Sequence, residues 1–190
     1  MKGGYTRDNV ATKALIKAED LLAIQSATGK NYELVRGELR EVVTGYRHGQ
    51  VVTCIAFLLE GWRRETDAGD VLAEAGYTLE RDPDTVRGPD ISFVRKGRFP
   101  AGPPKRGFPE IAPDVAIEVR SPNDTWPERL QKTAEYLARG TRAVILVQPD
   151  EFAEVHRPGQ APLRLGLDEP LPVEDVLPGF HVKVSELFPR

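Results

Sequence analysis

The sequence predicts a mixed α/β fold with a central mixed sheet flanked by helices, and three observations carry that prediction. The run Ala143-Val144-Ile145-Leu146-Val147 is almost continuously apolar, as expected of a strand buried on both faces. Val51, Ile55, Leu58, Leu59 and Trp62 recur at three- and four-residue steps, which lays one broad apolar stripe along a long helix. Between residues 114 and 148 a strand, a helix and a strand follow one another, the one place where a crossover is needed, and such crossovers are right-handed.

The elements follow in order. Residues 17–27 predict a short helix with Leu21, Leu22 and Ile24 on its apolar side and Gly29 as its stop. Residues 32–35 and 38–43 flank Arg36-Gly37, a two-residue hairpin turn. His48 opens the long helical pattern, and Asp67-Ala68-Gly69-Asp70 ends it. Strands are predicted over 71–79, over 85–87 running into 91–94, and over 114–120. Asp82-Pro83-Asp84 and a Gly/Pro-rich loop over 97–113 separate them. Loops of that length in compact domains are often functional. A helix over 127–139 has Asp124 or Thr125 to cap it, Pro127 in its first turn and Gly140 after its end. Residues 141–148 form the buried strand; 152–157 and 163–167 are antiparallel strands across Pro158-Gly159. A strand over 182–184 and a turn over 185–188 close the chain. An N-terminal arm and helix (1–30), a core (31–150) and C-terminal strands (151–190) together make one domain.

Composition agrees. The chain has 190 residues, 26 Lys+Arg against 29 Asp+Glu, 40% hydrophobic and 29% charged residues, an ordinary globular mix with enough chain for a real core. Its single cysteine, Cys54, allows neither an internal disulfide nor a cysteine zinc cage and reads as a small buried hydrophobe. Residues 1–7 lack an apolar stretch, and the longest apolar run, 51–59, falls far short of the ~20 residues that span a bilayer. A cytoplasmic protein without membrane attachment is expected. A net charge of −3 argues against coating nucleic acid by bulk charge, so local clusters must decide binding. One basic cluster exists: Arg95, Lys96, Arg98, Lys105 and Arg106, in and around the 97–113 loop, either a solvated loop or a phosphate-contacting one.

Two carboxylates stand out by position. Asp90 follows Gly88-Pro89 at the start of a strand, and Glu118 lies between Ile117 and Val119. A carboxylate inside an apolar strand is costly unless it is paired, hydrogen-bonded or metal-bound. Alternation puts Asp114, Ala116, Glu118 and Arg120 on one face, so a Glu118–Arg120 ion pair is one reading. The other is convergence of two carboxylates on a hard cation such as magnesium, which takes oxygen ligands and keeps several waters. Such an ion polarises a phosphate oxygen and acidifies bound water, and a nearby cation stabilises the developing charge. Lys132, on the helix after the Glu118 strand, is the candidate cation. Glu128, four residues before it, makes a plain surface pair the alternative, worth ~0.2–0.5 kcal/mol. His156 and His181 read as strand-surface residues, and Trp62 and Tyr136 as core or cleft-lining.

Gly88-Pro89-Asp90 followed by Glu118-Val119-Arg120 resembles the PD-(D/E)xK pattern of restriction-endonuclease-like nucleases. More specifically, the chain is similar to the bacterial Uma-two family of small endonuclease-like proteins. The resemblance runs through Tyr32-Glu33-Leu34-Val35-Arg36-Gly37-Glu38-Leu39, His48, Pro89-Asp90-Ile91-Ser92-Phe93-Val94, and the stretch from Pro113 to Pro122. It continues through Lys132, Tyr136, Gly140, Pro149-Asp150, Val155-His156-Arg157-Pro158 and Val176-Leu177-Pro178-Gly179-Phe180. It implies a restriction-endonuclease-like core and Asp90, Glu118 and the Val119 carbonyl as ligands of Mg2+ or Mn2+. It further implies DNA as substrate and a homodimer for duplex cleavage. Most of the superfamily carries its lysine two residues after the glutamate, where this chain has Arg120; in this family the lysine moves to the following helix, where Lys132 stands. The resemblance also turns Glu38 and His48 toward the cleft. Glu128 stands where relatives usually have aspartate, and Asn123 where serine is common. Beside the nuclease reading stand a catalytically inactive nuclease-fold DNA-binding or interaction module and a hydrolase of smaller phosphodiesters.

Overall fold

The computed structural model describes residues 14–122 and 124–189; the first part of the N-terminal arm and Asn123 lie outside the described residues. The larger sheet has six strands in the order β10 (Leu163–Gly166), β9 (Phe152–His156), β8 (Ala143–Gln148), β7 (Val115–Val119), β6 (Ile91–Arg95), β3 (Gly69–Ala73). Only β7 and β8 run parallel, joined through helix α3 (Trp126–Ala138); every other pair in the sheet is antiparallel, so the sheet is mixed as predicted. A second, antiparallel sheet has four strands in the order β2 (Glu38–Glu41), β1 (Tyr32–Val35), β5 (Thr85–Arg87), β4 (Tyr77–Glu80), backed by α1 (Ala18–Thr28).

The β-pleat sorts the core. Val115, Ile117 and Val119 face one way, into the apolar stripe of α2 (Tyr46–Thr66), where Val51, Ile55, Leu59 and Trp62 are buried with Ile145, Leu177 and Phe180. Ala116, Val144 and Leu146 face the other way and pack with Tyr136 of α3. Glu118 shares that second face, so the alternation of β7 alone delivers it to α3.

Two predicted strands turn out to be four. Residues 71–79 split into β3 and β4, which lie in different sheets. Glu74 adopts a left-handed φ of 52°, and Gly76 leaves room for Phe108, whose ring would stand 2.5 Å from any Cβ at that position. Residues 85–94 split at Gly88-Pro89 into β5 and β6, so the chain crosses from one sheet to the other immediately before Asp90. Residues 182–184 do not form a strand: Lys183 makes a single bridge to Pro170 before a 3-10 turn at Val184–Leu187. His156 is buried against Glu154 rather than on the surface, and Cys54 is half-buried, 3.4 Å from the Glu186 carbonyl. Among the described residues no helix is long and apolar enough to cross a membrane.

Helix α1 begins at Lys17, which supplies no side-chain cap. The cap comes from far along the chain. The buried Asp84 carboxylate accepts from the Ala18 N–H at 2.8 Å, from the Asp82 N–H at 3.3 Å and from Arg81 at 2.9 Å. Burial opposes ionisation of Asp84, but these donors outweigh it and hold the carboxyl below the usual carboxylate range. A group whose pKa falls on folding contributes stability above its unfolded pKa of ~4 and loses it as pH drops through the folded value. Asp84→Ala is expected to cost about 2–4 kcal/mol in urea unfolding at pH 7, and that cost should shrink toward pH 3.

Candidate active site

The two sheets meet where the chain crosses at Gly88-Pro89, and a cleft of about 540 Å3 opens there, lined by Glu33, His48, Asp90, Glu118, Val119 and Lys132 among others. Asp90 stands on the crossing itself. Its Oδ2 accepts from the Val119 N–H at 2.7 Å, and its Oδ1 lies 3.1 Å from Nε2 of the buried His48, in the first turn of α2. Lys132 projects from α3 with its Nζ 2.8 Å from Glu118 Oε1 and 2.9 Å from Oε2. Only the second contact is aligned as a hydrogen bond, so the buried Oε1 has no hydrogen-bond partner among the described residues. The same ammonium lies 2.7 Å from Glu33 Oε1 and donates to the Gly88 carbonyl at 3.2 Å. The structure therefore brings Asp90, Glu118, Val119, Lys132 and His48 into one cleft.

Other expected residues are placed differently. Glu38 sits at the turn end of the hairpin with its side chain exposed, 3.9 Å from Arg40, and does not line the cleft. The hairpin instead contributes Glu33 and its cross-strand partner Arg40. Glu33 was open to the argument used for Glu118, a carboxylate beside a core leucine in a short strand, but its cation arrives from a helix a hundred residues away. Arg120 is exposed and makes no ion pair with Glu118 among the described residues, because Lys132 occupies that carboxylate. Glu128 does not pair with Lys132 either. Its carboxylate accepts from the Thr125 N–H at 3.2 Å and Oγ1 at 2.6 Å, closing a capping box at the start of α3 while still lining the cleft. Arg129, one position on, is buried and donates to the Glu118 and Val147 carbonyls at 3.2 Å each, tying together the ends of β7 and β8.

The basic cluster is not in the cleft. Asp90 precedes β6 and Arg95 ends it, so the 97–113 loop leaves from the opposite end of a five-residue strand, roughly 17 Å away. There Lys96 pairs with Asp67, and Arg98 lies 2.9 Å from Asp114, while Arg95, Lys105 and Arg106 are exposed.

The electrostatics of the site are set by burial against charge. Burial pushes the Glu118 carboxyl up to about 8, with Lys132 opposing the rise and Asp90 and Glu33 adding to it. Burial disfavours the Lys132 ammonium, yet Glu118, Glu33 and Asp90 together hold its pKa well above the usual lysine value. Burial likewise opposes the Glu33 carboxylate, but Lys132 and Arg87 hold it below the usual range. For His48, burial is outweighed by the hydrogen bond and charge of Asp90, which raise its pKa. Lys132 is thus a fixed positive charge at neutral pH, suited to stabilising an anion rather than to accepting a proton.

The donor set suits a hard divalent cation: two carboxylates on separate elements that line one cleft. Among the described residues no group of three or more His, Cys, Asp or Glu is arranged as a complete metal cage. Magnesium does not need one, since it is often held by one or two carboxylates and retains waters.

An aspartate at a sheet crossing, a glutamate near a strand end and a buried lysine from the next helix, on a mixed-sheet core, define a restriction-endonuclease-like nuclease fold. The profile of the Uma2 family, described as "Putative restriction endonuclease", matches residues 18–185, and the chain belongs to that family. Its fold is similar to the crystal structure of a "putative nuclease belonging to DUF820" from Anabaena variabilis, with a TM-score of 0.74 and 23% identity, over 84% of this chain and 90% of that one. No protein of curated function matches the sequence.

Proposed function

We propose that the chain is a metal-dependent endonuclease that hydrolyses DNA phosphodiester bonds. The observation that carries this reading is the Lys132 ammonium, buried and fixed between Glu33 and Glu118 in the cleft that Asp90 also lines. Asp90 and Glu118, with the Val119 carbonyl, would hold Mg2+ or Mn2+. When bound, the ion would polarise a phosphate oxygen and acidify a water it coordinates. The protein's part is positional and electrostatic. His48 and the Val119 N–H fix both oxygens of Asp90, and Lys132 places a permanent positive charge where the phosphoryl group gains negative charge. Cleavage of both strands calls for two such sites, which a homodimer supplies by symmetry.

Plasmid nicking with magnesium or manganese tests the reading. Asp90→Ala and Lys132→Met are each expected to lower the nicking rate at least ~100-fold. Equal rates for the wild type and Asp90→Ala would overturn the enzymatic reading. One observation favours a second reading, a module that keeps the fold without activity: Glu118 is already engaged by Lys132. Calorimetry separates the two, because such a module would bind DNA with strong salt dependence and show no magnesium binding that depends on Asp90.

A further inference from the structure

A second, smaller cavity of about 120 Å3 adjoins the cleft and shares Glu33, Gly88 and Asp90 with it. Two aromatic residues line it, Tyr32 of β1 and Phe108, together with Gln25 of α1 and Asn31 just before β1. Gln25 is half-buried and Asn31 exposed, so both side-chain amides stand at the mouth of the cavity. We propose that this pocket takes one unstacked nucleobase of the substrate strand, from a nucleotide adjoining the phosphate at Asp90. The inference rests on the nuclease reading and names a further feature of its substrate.

Four observations converge on a base. The volume lies far below the ~300 Å3 at which pockets for drug-sized ligands begin, so the occupant is a single ring system. Aromatic walls stack on any nucleobase, and that stacking is indifferent to sequence. Amide heads present a donor and an acceptor together, the pattern that pairs with a base edge and with adenine best of all. The cavity shares Glu33, Gly88 and Asp90 with the cleft, which is close enough for its occupant and the phosphate at Asp90 to come from one strand.

The same pocket accounts for two features that the cleft leaves unexplained. The long 97–113 loop returns across the domain to bring Phe108 into the pocket wall. Gly76 is the residue that admits it, since the Phe108 ring would lie 2.5 Å from any Cβ there. Unstacking is least costly in single-stranded, mismatched or damaged DNA, so such substrates should be preferred over intact duplex.

The test uses single-stranded oligonucleotides carrying 2-aminopurine at successive positions, bound to the wild-type protein with calcium replacing magnesium, and in parallel cleavage mapping of a randomised oligonucleotide with magnesium. A fluorescence change confined to one position next to the cut, and a base preference at that position, are expected. In the Gln25→Ala/Asn31→Ala variant, whose substitutions lie toward the surface, the preference should fall about tenfold. In Phe108→Ala the position-specific signal should vanish. Cleavage with a uniform probe response, or with a preference that the double variant leaves unchanged, would overturn the pocket and leave the nuclease reading standing. A position-specific response without any cleavage would do the reverse, and a protein that neither cuts nor responds would overturn both.

Discussion

Replacing Glu33 with glutamine is expected to lower the turnover number for DNA cleavage about 100-fold while leaving KM within about threefold of wild type. Lys132 sits on a helix, not on the Glu118 strand, so its ammonium is placed by carboxylates from two different strands, Glu118 of β7 and Glu33 of β1. Glu33 does so from the second sheet, at 2.7 Å, and its other oxygen is held by Arg87 at 2.8 Å, with the Gly88 N–H at 3.0 Å on the first. Glutamine keeps the shape but removes one of the two charges that hold the ammonium in place, leaving it to shift toward Glu118. A displacement of ~1 Å at a reacting group costs on the order of 10²-fold. Aspartate in place of Glu33 keeps the charge and should recover part of the loss, which a purely structural role of this side chain would not produce. Steady-state kinetics, run well below the melting temperature of each variant, decide it. A Glu33→Gln turnover within threefold of wild type would remove Glu33 from the site.

How much of this was legible in the sequence follows from the range of the interactions. The strand of 143–148, the α3 helix capped at Thr125 and the long amphipathic α2 are local patterns, and each formed within a residue or two of its expected bounds; the Glu128 half of the capping box was not expected. Asp90 and Glu118 were marked by a local conflict between charge and an apolar strand. Lys132 carried no such conflict: its place on the helix after the Glu118 strand made it a candidate, and the family resemblance singled it out from 26 basic residues. The second sheet was missed because its four strands come from residues 32–41 and 77–87, and the break between β3 and β4 depends on Phe108, a residue thirty positions later. Glu38 was misplaced for a related reason. Proximity along the chain to a motif says little about which end of a strand, or of a hairpin, a side chain occupies. Glu33 and Glu38 lie on the same hairpin, yet only the one facing the sheet crossing meets Lys132.

Arg87→Met is expected to be the most destabilising single substitution in the protein, at about 3–5 kcal/mol, which lowers the melting temperature by roughly 10 °C for a domain of this size. The guanidinium is buried between two carboxylates, 2.8 Å from Glu33 on β1 and 2.6 Å from Glu135 on α3, and these hold it firmly protonated against the cost of burial. It thereby joins the small sheet to the helix that carries Lys132. Methionine fills much of the volume but leaves Glu33, in a cleft shared with Glu118 and Asp90, with Lys132 as its remaining cationic partner among the described residues. Breaking a buried pair costs more than replacing the whole of it, because the orphaned charge stays in the low-dielectric interior. Adding Glu33→Gln to Arg87→Met removes that orphan, so the double variant should be more stable than Arg87→Met alone, by at least ~1 kcal/mol in urea unfolding. Strict additivity of the two losses would mean that Arg87 acts through packing, and that the carboxylates near the sheet crossing are held apart by something other than its charge.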